Sequence, residues 1–167
     1  MRKRLAILRH AKSDWGDAGL SDFERPLNER GRAAAELIRQ AIDQRGLTFD
    51  TVLSSPAART RETLELIGLA DRAQWDEDIY LASTKTLLAI VRALPDETES
   101  ALIVGHNLGL HEIALDLSQP DSAGLRKRIL AKYPTGALAM LELEVDSWSE
   151  VAPGCGTITQ LLLPREL

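Results

Sequence analysis

Three short apolar runs punctuate the first two-thirds of the chain: Leu5-Ala6-Ile7-Leu8, Val52-Leu53 within Phe49 to Ser54, and Ser100-Ala101-Leu102-Ile103-Val104. Short apolar runs bounded by turn signals read as buried strands. Between them the spacing changes to helical. Ala34, Leu37, Ile38 and Ala41 share one face of a helix that Asn28 caps and Gly46 stops, with Glu29 suited to the positive helix end. Ser55-Pro56 predicts an N-cap and a first helical position, followed by helix from Ala57 to Ile67 near Gly68. Thr84, Leu87, Leu88, Val91 and Leu94 predict a third helix, closed by Pro95. Leu110, Ile113, Ala114 and Leu117 predict a fourth, and Leu125 to Tyr133 a short basic helix or turn.

The connecting stretches are polar. Ser13 to Leu27 reads as a loop, in which Pro26 keeps Arg25 extended and outside any helix. Ala70 to Asp78 is charged and irregular, and Ile79-Tyr80-Leu81 reads as a short extended piece. Near the end, Gly136 to Val145 and Thr157 to Leu163 read as two strands that pair. Strands alternating with helices imply βαβ units and a largely parallel sheet, and the tail adds an antiparallel strand at an edge.

Composition narrows the class. At 167 residues, with 44% hydrophobic and 27% charged, the chain fits a single soluble domain over 1–167. A net charge of -5 argues against a protein built to grip nucleic acid, so any anion site is local. The single cysteine, Cys155, permits no intramolecular disulfide and reads as incidental. After the basic start Met1-Arg2-Lys3-Arg4, only four apolar residues precede Arg9, too few for a signal-peptide core or a membrane span. A cytoplasmic protein without membrane partners is expected; the oligomeric state is not legible.

The chemistry gathers at strand-to-helix junctions. Ligands of open α/β sheets collect outside the carboxyl ends of the strands. Leu8-Arg9-His10, Ser54-Ser55-Pro56-Ala57-Ala58-Arg59 and Val104-Gly105-His106-Asn107 occupy three such ends. Parallel neighbouring strands would bring two histidines, two arginines and two helix N-termini to one edge, with Arg25 as a further cation. Such a pocket suits a phosphoryl dianion. Each residue also has a plainer reading. Arg9-His10 would be a polar strand end, Arg59 a surface residue, His106 a satisfied strand-end histidine, and Arg25 a partner of Glu24 or Asp22. Two histidines without a third ligand at suitable spacing do not make a zinc site, so no metal is expected. His111, on the helix after His106, reads as surface. There is no Gly-x-Ser-x-Gly elbow, P-loop or dinucleotide fingerprint.

Four segments in order resemble a known family. Leu8-Arg9-His10-Ala11 is similar to the Arg-His-Gly signature of the histidine phosphatase (phosphoglycerate mutase-like) superfamily, with Ala11 in place of glycine. Arg25-Pro26-Leu27-Asn28-Glu29-Arg30-Gly31 resembles its Arg-Pro-Leu-Thr-x-x-Gly segment. Ser54-Ser55-Pro56-Ala57-Ala58-Arg59-Thr60-Arg61-Glu62-Thr63 resembles its Ser-Ser-Pro-x-x-Arg-x-x-x-Thr segment, and Val104-Gly105-His106-Asn107 its second-histidine motif. The short span between Arg59 and His106 looks most like the SixA-like phosphohistidine phosphatase branch.

The resemblance implies a three-layer α/β/α sandwich with a mostly parallel mixed sheet and one antiparallel strand near the C-terminal end. It implies His10 as the nucleophile of a covalent phosphohistidine intermediate. Arg9, Arg59 and His106 would hold the phosphoryl group, joined by Arg25, with no cofactor. The expected substrate is protein phosphohistidine. The alternatives are a phosphatase for a small phosphomonoester and a non-catalytic phosphate- or phosphoprotein-binding module. A phosphomonoesterase needs a carboxylic acid to protonate the leaving oxygen, and Asp14, Glu77 and Asp78 are weak candidates. The imidazole of phosphohistidine leaves more readily than an alkoxide.

Overall fold

The computed structural model describes residues 2–167. Its described strands form one sheet in the order β3-β2-β4-β1-β5-β6. β1 (Lys3–Arg9) pairs in parallel with β4 (Ser100–Gly105), β4 with β2 (Thr51–Ser54), and β2 with β3 (Ala73–Trp75). β5 (Leu138–Leu143) lies antiparallel to β1 and to β6 (Gly156–Leu162), which closes the far edge. The sheet is thus mixed and mostly parallel, with β5 the strand that runs the other way.

Two apolar clusters lie on opposite faces of this sheet, because side chains alternate along a strand. Leu5 and Ile7 of β1 belong to the cluster under α3 (Thr84–Arg92) and α4 (Gly109–Leu117). Ala6 and Leu8 belong to the cluster under α1 (Glu29–Gln44) and α2 (Ala58–Ile67). β1 and β4 are apolar on both faces because both faces are covered. The result is the expected α/β/α sandwich. α5 (Leu125–Leu130) fulfils the short basic helix, and Tyr133 just beyond it is fully buried. The Tyr133 hydroxyl donates to Ile7 O (2.5 Å) and accepts from Ala139 N–H (3.0 Å), which bridges β1 to β5.

Local expectations fare unevenly. Asn28 caps α1 through its side chain, accepting from Gly31 N–H at 2.8 Å. Ser55 is not the cap of α2, which begins at Ala58 without a side-chain cap; Ser55 Oγ instead contacts His106. The charged stretch after Ala70 contains β3, a three-residue edge strand too short and polar to announce itself. Ile79, expected to begin an extended piece with Tyr80 and Leu81, instead ends a 3-10 turn, Glu77–Ile79. His111 is not a free surface residue: it is half-buried, contacts Ile129 O at 2.5 Å and stacks on Tyr133. No helix among the described residues is long and apolar enough to cross a membrane.

The fold reaches the site through one close approach. α1 lies so near the segment after β1 that a Cβ on Gly31 would sit 2.1 Å from Lys12 O. Lys12 is two residues beyond His10, and its carbonyl also accepts from Asn28 N–H (3.0 Å). Gly31→Ala must push helix and loop apart. A loss of about 2 kcal/mol is expected from overpacking, read as a lower urea midpoint at constant m-value.

Candidate active site

The ladders run past the strand ends. His10 N–H donates to Gly105 O (3.1 Å) beyond β1, and Ser55 N–H donates to Val104 O (3.1 Å) beyond β2. These bonds fix the three carboxyl-end junctions side by side, with β4 between its two parallel neighbours. The His10 and His106 rings lie 5.3 Å apart, tilted by 50°. Arg9, His10, Arg25, Arg59 and His106 all line one cavity of about 350 Å³. The structure therefore brings these five residues around one volume. His10, Arg25, Arg59 and His106 are each more than nine-tenths buried, and Arg9 is partly exposed.

His10 is oriented from below. Its Nδ1 lies 2.6 Å from Ala11 O. A carbonyl only accepts, so Nδ1 carries the proton and Nε2 keeps its lone pair. Ala11 is held in turn, its N–H donating to Thr63 Oγ1 (3.1 Å) on α2. Burial first, then the Arg59, Arg9 and Arg25 guanidiniums, push the His10 pKa down to about 4, although its bond to Ala11 O opposes them. Burial, Arg59 and His10 push His106 down to about 3. Both imidazoles are neutral at physiological pH.

The arginines are braced by Asp22, which in the sequence looks only like a partner for Arg25 in a solvated loop. Asp22 accepts from Arg25 Nη2 (2.9 Å) and Arg25 Nε (3.3 Å) through Oδ1. Through Oδ2 it accepts from Arg59 Nη2 (3.0 Å) and from the Tyr80 hydroxyl (2.5 Å). Its backbone carbonyl also accepts from Arg59 Nη1 (2.7 Å). The Tyr80 hydroxyl and then the two arginines hold the Asp22 carboxyl far below the ordinary carboxylate range, against its partial burial. Tyr80 also packs edge-on against His106, with ring centroids 5.4 Å apart. The three-residue spacing of Asp22 and Arg25 was visible in the sequence. The contact with Arg59, 37 positions away, left no local signal, nor did that of Tyr80.

Four buried polar atoms, Arg9 Nε, Arg59 Nε, His106 Nδ1 and Asn107 Oδ1, have no hydrogen-bond partner among the described residues. Buried polar groups are normally satisfied, so such atoms in one cluster mark a place prepared for a polar ligand. No carboxylate lines the cavity, and Asp14, Glu77 and Asp78 are exposed and absent from its walls. No group of three His, Cys, Asp or Glu side chains suited to a metal ion occurs among the described residues.

Comparison with known proteins bears on the family and the fold. Residues 5–83 match the profile of the histidine phosphatase superfamily (branch 1). An uncharacterized protein of Mycobacterium tuberculosis is 32% identical over 160 residues, covering 95% of this chain and 100% of the relative. A Nakamurella multipartitia structure assigned as the phosphohistidine phosphatase SixA superposes with a TM-score of 0.84 at 26% identity, covering 98% of this chain and 97% of that one. The Agrobacterium tumefaciens protein with the same assignment gives 0.79 at 30% identity, covering 97% and 98%.

Two histidines that resist protonation when folded, but not when unfolded, make stability depend on pH. Below the ordinary histidine pKa of 6.5 the unfolded chain binds protons that the folded site refuses until about pH 4. The urea midpoint is expected to fall as pH drops across that window. His106→Asn should make the fall shallower, which equilibrium unfolding at a series of pH values checks.

Proposed function

We propose, for a chain that belongs to the histidine phosphatase superfamily and its SixA-like branch, that it hydrolyses protein phosphohistidine through a phosphoryl group carried on His10. The observation that carries this reading is the His10 ring itself. A buried, neutral imidazole, with its Nδ1 proton committed to Ala11 O, aims an unprotonated Nε2 at a cavity walled by guanidiniums. A binding module has no use for a nucleophile kept unprotonated in this way.

The first transfer forms a bond from His10 Nε2 to phosphorus as the bond to the substrate imidazole breaks. That imidazole, protonated on its other nitrogen, departs neutral. Arg9, Arg59 and Arg25 take the charge on the equatorial oxygens as it redistributes. Ser55 Oγ accepts from Ala57 N–H (3.3 Å), and for its own buried proton the acceptor among the described residues is His106 Nε2 (2.8 Å). His106 Nδ1–H is then the buried donor offered to the phosphoryl group. In the second transfer, water attacks phosphorus and both its protons stay on the released phosphate. His10 leaves as neutral imidazole because Nδ1 has kept its proton throughout. The bond to Ala11 O thus serves attack and departure alike. The guanidiniums supply the positive field, so the reaction as proposed runs without a metal.

The cavity walls favour a phosphoramidate over a phosphomonoester. No carboxylate stands there to protonate an alkoxide, whereas imidazole leaves without one. Asp22 is ionised and engaged with Arg25, Arg59 and Tyr80, which makes it a brace rather than a proton donor.

His10→Ala is expected to lower hydrolysis of a phosphohistidine peptide by at least about 10⁴-fold, as loss of a covalent nucleophile does. Arg59→Ala should cost about 10²-fold or more. Rapid acid-free quenching of the parent protein should trap acid-labile phosphate on His10. Unchanged turnover in His10→Ala would end the proposal. Because only protonation near pH 4 silences His10, kcat/KM should stay level on the acid side down to about pH 5 and drop below it, in a profile taken with a substrate that does not titrate there.

A further inference from the structure

The His10 cavity does not end at the phosphoryl pocket. Lys12, Lys132, Pro134 and Thr135 form a wall it shares with a second cleft of about 340 Å³. Four cations line that second cleft, from four separate parts of the chain. Lys12 lies just after His10, Arg30 is in the first turn of α1, Lys132 follows α5, and Arg165 lies in the C-terminal 3-10 turn. No carboxylate lines it. Among the described residues none of these four side chains donates a hydrogen bond or stands within ion-pair distance of a carboxylate, and Glu166, which Arg165 attracts, is bonded to Arg128. Other cations of the chain do pair: Arg128 with Glu166, Arg32 with Glu62, and Arg25 and Arg59 with Asp22. In a chain of net charge -5, four unpaired cations in one cleft are a local inversion of sign. Walls of one sign concentrate the field and draw in the opposite charge.

The other side of the cavity mouth has a different chemistry. Trp15 and Leu81 line the cavity while standing 76% and 55% exposed, and Leu108, close in sequence to His106, is 66% exposed. Trp15 is held in place by Arg25, whose guanidinium carbon lies 3.3 Å from the ring centroid. An apolar patch beside a charged flank is the anatomy of a protein interface, and exposed aromatics are its usual anchors.

We propose that the cleft bounded by Lys12, Arg30, Lys132 and Arg165 is a docking site for an acidic surface on the phosphorylated partner protein. The carboxylates would lie beside a histidine that enters the cavity while apolar residues meet Trp15 and Leu81. This rests on the phosphohistidine reading above and gives it a partner of stated charge. A small phosphomonoester needs only the arginines of the first cavity and would leave the cleft without a role.

The test uses Arg30→Glu/Arg165→Glu, two residues that line the second cleft and not the first. Glutamate near the start of α1 suits the helix end, so folding is preserved. Binding of two histidine-centred peptides is measured on the parent and on this variant at low and high salt, one flanked by Asp and Glu and one by Ser and Gln. Turnover of phosphoramidate, which has no flanks, is followed in parallel. The parent is expected to bind the acidic peptide about tenfold more tightly, a preference that salt weakens and the double variant abolishes. Phosphoramidate turnover should not change. Equal affinities in the parent, or a preference that survives the variant, would overturn the docking site while phosphoramidate turnover stands. Failure of phosphoramidate turnover in the parent would instead strike the phosphatase reading, and the peptide affinities would still decide the cleft. Tight, cleft-dependent binding of a small bisphosphate without peptide preference would also overturn the proposal, in favour of a small ligand with a second anionic group.

Discussion

Parallel pairing of β1 with β4 is the constraint on which the site depends. The two strands start far apart in the sequence, and their ladder continues past the last paired residues through His10 N–H to Gly105 O. That extra bond decides that His10 and His106 end as neighbours. It acts from within the most deeply buried part of the sheet, where Leu5 to Leu8 and Ala101 to Val104 are almost wholly sealed from water. Apolar burial at about 25 cal/mol per Å² holds those strands together. The site therefore inherits its geometry from the core: Arg9 stands on β1 and Arg59 on α2, and the segment before α1 adds Arg25.

Charge management is the second layer. Three arginines and two histidines crowd a half-enclosed space, and desolvation alone would discourage their charges. The outcome differs by residue type. The histidines give way and stay neutral, which is what a nucleophile requires. The guanidiniums stay charged, because Arg cannot readily lose its proton. Asp22 bridges Arg25 and Arg59, and Tyr80 fixes its second oxygen. One carboxylate between two guanidiniums reduces their repulsion while Arg9, with no carboxylate partner among the described residues, keeps its positive charge towards the cavity. Neutral histidines beside charged arginines arise from this difference in proton affinity.

Much of this is legible in the sequence. The alternation of apolar runs and helical spacing foretold βαβ units, and Asn28 and Gly46 bounded α1 as their chemistry suggests. Arg9, His10, Arg59 and His106 were nominated at strand ends, and the structure sets them around one cavity. What stayed hidden was long-range or short-lived in sequence. β3 spans three residues and has no alternation to read. Ser55 looks like a helix cap from its neighbours, yet β2 delivers it to His106 instead. Asp22 and Tyr80 reach Arg59 across 37 and 21 intervening steps of chain in a way no local pattern encodes. Lys12, Arg30, Lys132 and Arg165 are ordinary surface cations until the fold turns them onto one cleft.

The central claim is that phosphorus is attacked twice, first by His10 and then by water. The stereochemistry at phosphorus tests it most directly. A thiophosphoryl donor made chiral with an oxygen isotope is hydrolysed in isotopically labelled water, and the configuration of the released thiophosphate is determined. Each in-line displacement inverts the centre, so two displacements predict overall retention. Overall inversion would mean that water attacks the substrate in a single step, and the covalent role of His10 would be contradicted.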